Sequence, residues 1–193
     1  SEHVLALLLA LSKNIPTYVH QMDQGLWKNL HQGKEIYHSQ IAIVGCGDLG
    51  TQTAKRLQAF DCHITGIKRR KTAALKYFDE IKTIDQLDNV LGDMDTVILC
   101  LPQTEETSSL FNKEKLLKMK KDAILINVGR GSAIVHDDLV EILPYHLGGV
   151  GLDVTDPEPL PADDPLWRND KVMITPHSAG GFIWKSTRER FIQ

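Results

Sequence analysis

Little in this sequence can cross-link it. Its three cysteines, Cys46, Cys62 and Cys100, are spread over 193 residues. None stands in C-x-x-C spacing, and all fall within or beside expected strands or a glycine-rich loop. They read as small buried thiols of a reducing compartment, which excludes a disulfide scaffold and supplies no metal ligand set. A net charge of −3 leaves no general attraction to nucleic acid or acidic membranes. There is no internal repeat and no low-complexity segment. The apolar run Val4–Leu11 is too short to span a bilayer and has neither a basic flank nor a small-residue cleavage site, so a buried helix is expected there. An initiator Met is also lacking, and the chain opens inside a helical pattern. A piece of a longer chain is expected, of a size for one core or for one domain plus part of another.

What is present alternates. Residues 1–13 read as a helix, with Ser1 as its cap and Pro16 beyond its end. Residues 17–30 read as a second, more polar helix, with Tyr18, Met22, Leu26, Trp27 and Leu30 near helical spacing and Trp27 expected in the core. Strands are expected at 41–44, 62–67, 96–101, 123–128, 149–154 and 172–175. Helices are expected at 49–59, with Ala54, Leu57 and Ala59 toward a sheet, and at 72–79 and 84–91. Further helices are expected at 113–120, capped by Asn112 with Leu116, Leu117 and Met119 inward, at 137–143, and from Gly181 onward. The unbroken apolar run Thr96–Leu101 suits a parallel strand buried on both faces. This alternation predicts an α/β fold, a doubly wound parallel sheet with right-handed crossovers. Pro157, Pro159, Pro161 and Pro165 mark a stiff loop within it, because strand and helix pattern resumes beyond them.

The stretch Ile41-Ala42-Ile43-Val44-Gly45-Cys46-Gly47-Asp48-Leu49-Gly50 joins a strand to a helix through G-x-G-x-x-G. In that context it predicts a dinucleotide site in a Rossmann-like sheet. Gly45 makes the tight turn, Gly47 admits the pyrophosphate to the backbone, and Gly50 lets the helix lie close on the strand. The N–H groups and positive end of that helix then face the phosphates. In such folds the second strand usually ends in a carboxylate that accepts from the ribose 2′-hydroxyl. Here it ends Gly66-Ile67-Lys68-Arg69-Arg70-Lys71, with no acid. Lys68, Arg69 and Arg70 suit a 2′-phosphate, at about 1.5–3 kcal/mol for a charge-assisted hydrogen bond. NADP is therefore expected ahead of NAD. The alternative reading of the run is a solvated basic turn.

Three polar residues follow later strands, where open α/β sheets place ligands. Arg130 lies between two glycines, Glu158 among the prolines, and His177 after Pro176. Singly, they read as a surface turn, a solvated acid and a helix cap. Together, beside a nicotinamide, they suit carbonyl reduction. His supplies a proton near neutral pH, a neighbouring carboxylate favours the imidazolium, and Arg forms two hydrogen bonds to a substrate carboxylate.

Taken in order, the glycine loop, Leu101-Pro102-Gln103-Thr104-Glu105-Glu106-Thr107, Asn127 to Gly131, Asp153-Val154 with Glu158-Pro159-Leu160-Pro161, and Thr175-Pro176-His177 resemble the coenzyme-binding part of the D-isomer-specific 2-hydroxyacid dehydrogenases. The resemblance covers nearly the whole chain. It implies that Arg130 binds the substrate carboxylate or carbonyl, that His177 is the acid/base and that Glu158 is its partner. Together with the glycine loop and the basic run read above, it gives an expected cofactor site of Gly45, Gly47, Asp48, Leu49, Gly50, Lys68, Arg69, Arg70, Leu101, Pro102, Thr107, Val128, Gly129, Arg130, Asp153, His177, Ala179 and Gly180. Within it, Asp153 would help hold the nicotinamide carboxamide, Leu101 and Pro102 would line the adenosine side, and Val128 and Gly129 would lie near the nicotinamide. The chain departs from the family at Lys68, where an acid is usual, and at Asp48, where a basic or neutral residue is usual. The implied division is a connecting helix over 1–16, a dinucleotide-binding domain over 17–180, and over 181–193 the start of a return helix to a substrate domain mostly absent here. The implied activity interconverts a 2-keto acid and a D-2-hydroxy acid of glyoxylate or hydroxypyruvate type. Phosphoglycerate oxidation by the same fold and a non-catalytic nucleotide-sensing scaffold are the alternatives. A homodimer through the coenzyme domain and a cytoplasmic location are expected.

Overall fold

The computed structural model describes residues 1–70, 72 and 74–180. Among the described residues one parallel sheet has seven strands: β1 Gln40–Val44, β2 His63–Lys68, β3 Glu80–Thr83, β4 Thr96–Leu99, β5 Ile124–Asn127, β6 Gly149–Leu152 and β7 Val172–Ile174. Their spatial order is β3-β2-β1-β4-β5-β6-β7. Val44 at the end of β1 pairs with Ile67 on one side and Leu99 on the other. The chain order reverses between β1 and β4, which opens a crevice at the carboxyl ends of the strands, where sheets of this kind bind ligands.

The pleat of β1 sorts its side chains between two cores. Ile41 and Ile43 pack with Val4, Leu7, Leu8 and Leu11 of α1 (Glu2–Ser12) and with Ala54 and Leu57 of α3 (Asp48–Leu57). Ala42 and Val44 pack on the other face, in a core that includes Leu87 of α4 (Leu87–Val90), Leu116 of α5 (Lys113–Lys118), and Leu139 and Ile142 of α6 (His136–Ile142). Although α1 reads as apolar nearly all round, its buried leucines and valine fall at helical spacing and seat it across β5, β6 and β7. Each such side chain contributes about 1.5–3 kcal/mol when fully buried. Ser1 stands at the N-cap of α1 without a capping side-chain bond, whereas Asn112 Oδ1 accepts from Lys115 N at 3.0 Å and caps α5 as expected.

Several expectations are corrected. The second helix is α2, Ile15–Asp23, not 17–30. Gly25, at φ +65°, ends it in a Schellman motif, with Gly25 N bonded to Met22 O and Leu26 N to Gln21 O. Trp27 then lies past the helix, fully exposed at 103% rather than in the core. No helix forms over the described part of 72–79; a turn leads instead to β3, a short half-polar edge strand that sequence patterning missed. Leu117 is exposed because the short α5 has a single inward face, filled by Leu116. Ala59 is exposed on the 3-10 turn that follows α3. Cys62 is buried, but Cys46 and Cys100 are only partly so; all three are free thiols. Strands end one or two residues early where the chain turns out of the sheet: β4 at Leu99, β5 at Asn127, β6 at Leu152 and β7 at Ile174. The helix expected from Gly181 lies outside the described residues, as does Lys71.

Candidate active site

At the end of β1 the main chain turns sharply. Gly45 has φ +104°, and a Cβ there would come within 2.5 Å of Cys100 O at the end of β4. A Cβ on Gly50 would come within 2.1 Å of Gly45 O, so only glycine lets α3 lie this close to the turn. Gly47 is different. It has extended backbone, φ −76° and ψ −161°, and a Cβ there meets nothing within 4 Å. The space in front of the α3 N-terminus is open, and the first N–H groups of α3 have no acceptor within the helix. Asp48 begins α3, where an acid is favourable to the helix dipole. Burial pushes the nearby Cys46 thiol up to about 11 and the Cys100 thiol up to about 12, so both stay neutral.

Beside this loop, β2 delivers the partly exposed Lys68 and the exposed Arg69 and Arg70. Arg69 Nη1 lies 3.5 Å from Glu106 Oε2, between two largely exposed side chains. Glu106 belongs to a turn stapled by hydroxyls. Thr107 Oγ1 donates to Pro102 O at 2.7 Å, and Thr104 N donates to Thr107 Oγ1 at 2.9 Å. Leu101 packs against the core behind this turn, while Pro102 is exposed.

The next strand end is shaped by Asn127, a fully buried residue whose part the sequence reading did not assign. Its Nδ2 donates to Arg130 O at 2.9 Å and its Oδ1 accepts from Gly129 N at 3.1 Å. These bonds fix the turn that carries Val128, Gly129 and Arg130. The turn is wedged against the β6 exit loop, since a Cβ on Gly131 would overlap Thr155 O at 1.9 Å. The Arg130 side chain is exposed and donates to Gly129 O at 2.7 Å.

Glu158 and His177, nineteen positions apart, meet directly: His177 Nδ1 lies 2.7 Å from Glu158 Oε1. Both side chains are a little under half exposed. His177 has φ +51°, a left-handed conformation of the kind that clusters at functional sites. Its N–H donates to Asp153 O at 2.8 Å. The Asp153 side chain is 1% exposed, yet well satisfied. Its Oδ1 accepts from Thr175 Oγ1 at 2.6 Å and Ser178 N at 2.8 Å, and its Oδ2 accepts from Ala179 N at 2.9 Å. Asp153 thus grips the loop on both sides of His177. A cavity of about 330 Å³ opens beside this loop, lined in part by Thr155, Glu158, Leu160, Trp167 and His177.

The structure therefore brings Glu158 and His177 into contact and places the glycine loop, the basic run and the Arg130 turn along the same sheet edge. Arg130 bonds to neither member of the pair among the described residues. The part played by Thr175 in this arrangement had no signal beyond its place at a strand end.

Comparison with known proteins agrees with this fold. The family described as D-isomer specific 2-hydroxyacid dehydrogenase, NAD binding domain, matches residues 5–179. The glyoxylate/hydroxypyruvate reductase B of Pectobacterium carotovorum is 36% identical over 183 residues, covering 92% of this chain and 57% of that protein. The D-3-phosphoglycerate dehydrogenase of Mycobacterium tuberculosis is 34% identical over 92% of this chain and 34% of its own length. The chain thus spans only part of these proteins. The crystal structure of an NADPH-dependent glyoxylate/hydroxypyruvate reductase from Sinorhizobium meliloti, in complex with NADP and sulfate, superposes with a TM-score of 0.84 at 29% identity over 99% of this chain and 60% of that one.

Proposed function

This chain belongs to the D-isomer specific 2-hydroxyacid dehydrogenase family, and from that premise we propose that it is the coenzyme-binding portion of an oxidoreductase that interconverts a 2-keto acid and a D-2-hydroxy acid, with NADP(H) preferred over NAD(H). The observation that carries the proposal is the 2.7 Å His177–Glu158 pair on the same sheet edge as the glycine loop.

The residues fit a dinucleotide. The backbone before α3 leaves open space at Gly47, and Gly45 and Gly50 have no room for side chains. Gly45, Gly47, Asp48, Leu49 and Gly50 would hold the phosphates through the main chain. Leu101, Pro102 and Thr107 would line the adenosine side, and Val128, Gly129, Ala179 and Gly180 the nicotinamide side. When bound, a reduced nicotinamide supplies a hydride for the carbonyl carbon.

The chain's own residues do the rest. An ionised Glu158 only accepts hydrogen bonds, so His177 Nδ1 carries the proton between them and Nε2 becomes the nitrogen that gives a proton to the carbonyl oxygen. Glu158 stabilises the imidazolium before that transfer and holds the ring afterwards. In the oxidative direction His177 takes the proton back from the hydroxyl. Arg130 binds and orients the substrate carboxylate through two hydrogen bonds. The bonds of Asp153 to Thr175, Ser178 and Ala179 support a part in ordering the loop alongside the carboxamide contact that the family resemblance implies.

The preference for NADP rests on Lys68, Arg69 and Arg70. An exposed pair such as Arg69–Glu106 is worth about 0–1 kcal/mol, less than the ~1.5–3 kcal/mol of a charge-assisted bond to a 2′-phosphate, so Arg69 can exchange one partner for the other. NADPH is expected to bind this chain about 10- to 100-fold more tightly than NADH. Replacing Lys68, Arg69 and Arg70 by Gln should remove that difference; equal affinities in the unaltered chain would demote the run to a solvated turn. The substrate is proposed to be a small 2-keto acid of glyoxylate or hydroxypyruvate type, the alternative being a phosphoglycerate-type substrate, and a panel of glyoxylate, hydroxypyruvate and phosphohydroxypyruvate tested for NADPH oxidation, in an enzyme carrying both this segment and its substrate domain, separates them.

We read residues 1–16 as a connecting helix, 17–180 as the dinucleotide-binding domain and 181–193 as the return toward a substrate domain; limited proteolysis that cut within 40–175 ahead of the flanks would contradict that division. The exposed Val19, Met22, Leu26 and Trp27 support a homodimer through this region, and a monomeric mass at high concentration in sedimentation would rule it out. The free cysteines suit the reducing cytoplasm, which fractionation of cells producing the protein tests. Among the described residues no helix is long and apolar enough to cross a membrane.

A further inference from the structure

We infer that His3 on α1 and Thr175 at the end of β7 are positioning residues for His177, acting through the buried carboxylate of Asp153. The inference rests on the reading of His177 as the proton donor. His3 and Thr175 are 172 positions apart in sequence, yet His3 Nε2 lies 2.8 Å from Thr175 Oγ1 and 3.3 Å from Asp153 Oδ1. The directions of these bonds follow from chemistry. Asp153 is a carboxylate that only accepts, so the Thr175 hydroxyl, at 2.6 Å, gives it its single proton. The lone pairs of Thr175 Oγ1 remain, and the group beside them must donate. His3 therefore carries a proton on Nε2 and donates it to Thr175 Oγ1, with Asp153 Oδ1 3.3 Å away.

Asp153 turns that convergence into loop geometry. Its Oδ1 receives Thr175 Oγ1 and Ser178 N, its Oδ2 receives Ala179 N, and its own carbonyl receives His177 N. A carboxylate buried to 1% exposure cannot recruit bulk water when a donor is lost. It must rotate or draw in another donor, and either change moves the amides of Ser178 and Ala179. His177 sits directly before them in a left-handed conformation that the surroundings must impose. The same displacement alters the 2.7 Å approach of its ring to Glu158. Helix α1 thereby becomes part of the proton-donor apparatus. It is seated by Val4, Leu7, Leu8 and Leu11 on the strands that carry Asp153 and Thr175, and His3 is the polar tip of that contact.

The test uses nitrogen-detected NMR of the histidine rings in the chain as described, with Glu158→Gln marking the signals of His177 when its partner is neutral. Thr175→Val keeps the shape and removes the hydroxyl. It is expected to move both His177 ring-nitrogen signals toward their Glu158→Gln positions and to speed amide exchange at Ser178 and Ala179 about tenfold, with Val97 and Ile98 in β4 unaffected. Thr175→Ser should restore the native signals, and His3→Phe should shift His177 in the same direction. His177 signals that stay native in folded Thr175→Val and His3→Phe proteins would overturn the inference. If Thr175→Val does not fold, His3→Phe decides alone. A failure of the dehydrogenase reading is seen separately, as absence of hydride transfer to any 2-keto acid in an enzyme carrying both this segment and its substrate domain, with these ring shifts intact.

Discussion

Two regions share the carboxyl edge of the sheet and are made from different materials. At the β1–α3 turn, the groups that matter are N–H donors and the side chains that are missing at Gly45, Gly47 and Gly50. All of this is contained in ten consecutive residues. At the β6–β7 end, the working parts are side chains drawn from positions 3, 153, 158, 175 and 177, joined by bonds of 2.6 to 2.8 Å. The first region is a local structure that the sheet merely holds in place. The second exists only once the whole sheet has folded, because α1, β6 and β7 each bring one piece of it. A change in the first region should act on cofactor binding or on the fold according to which glycine is touched. A change at His3, Glu158 or Thr175 in the second should act on proton transfer with cofactor binding preserved.

The largest expected effect separates two glycines three positions apart. Gly50→Val places a side chain on Gly45 O, 2.1 Å from the nearest Cβ position, and should cost ~3 kcal/mol or more, read as a fall in Tm of about 10 °C. Gly47→Val enters open space on extended backbone. It should cost about 1 kcal/mol of helix capping, while NADPH binding, followed by fluorescence titration, is lost. Equal thermal stability of the two variants would remove the distinction between close-packed and cofactor-facing glycines.

Next in size is the acid–base end. In an enzyme carrying both this segment and its substrate domain, His177→Ala should lower kcat by about 10²- to 10⁴-fold at saturating NADPH. Glu158→Gln should fall between that variant and the native enzyme. Full turnover in His177→Ala would take this histidine out of the chemistry.

The smallest effect lies away from both regions and calibrates them. Hydrogen bonds from Lys115 and then Lys118, at 2.5 and 2.7 Å, hold the Asp88 carboxyl below its ordinary value of 3.8 and tie α4 to α5. A lowered folded pKa means that the unfolded chain binds more protons. The stabilisation is therefore complete above pH about 4 and is lost as pH falls through the lower, folded value. Because the groups are partly exposed, the contribution is modest and weakens with salt. Asp88→Asn should flatten the acid limb of a Tm-against-pH curve and leave cofactor binding untouched at pH 7.

The same comparison explains what could be read from the chain. The glycine loop was legible because turn, close approach and helix start are all encoded within it. Arg130, Glu158 and His177 were legible as polar residues at the ends of apolar strand runs, and the alternation of such runs carried the sheet. The link from His3 to Thr175 was not legible, because nothing local distinguishes a histidine in the first turn of an apolar helix from one facing solvent. Asn127 reads as a strand residue until its two bonds across the turn are seen. Trp27 was misplaced for a related reason. Its spacing matched a helix, but Gly25 closes α2 before that spacing can act. β3 was missed because a four-residue edge strand with half-polar faces carries almost no periodicity.

The most direct measurement is to follow the amides of Gly45 to Gly50 and the ring of His177 by NMR while NADPH is added to this chain. The account predicts that both sets of signals move together and saturate with one Kd, because a single bound dinucleotide would span the phosphate loop and the acid–base pair. Movement at the glycine loop with a silent His177, or no saturable movement at either, would contradict it.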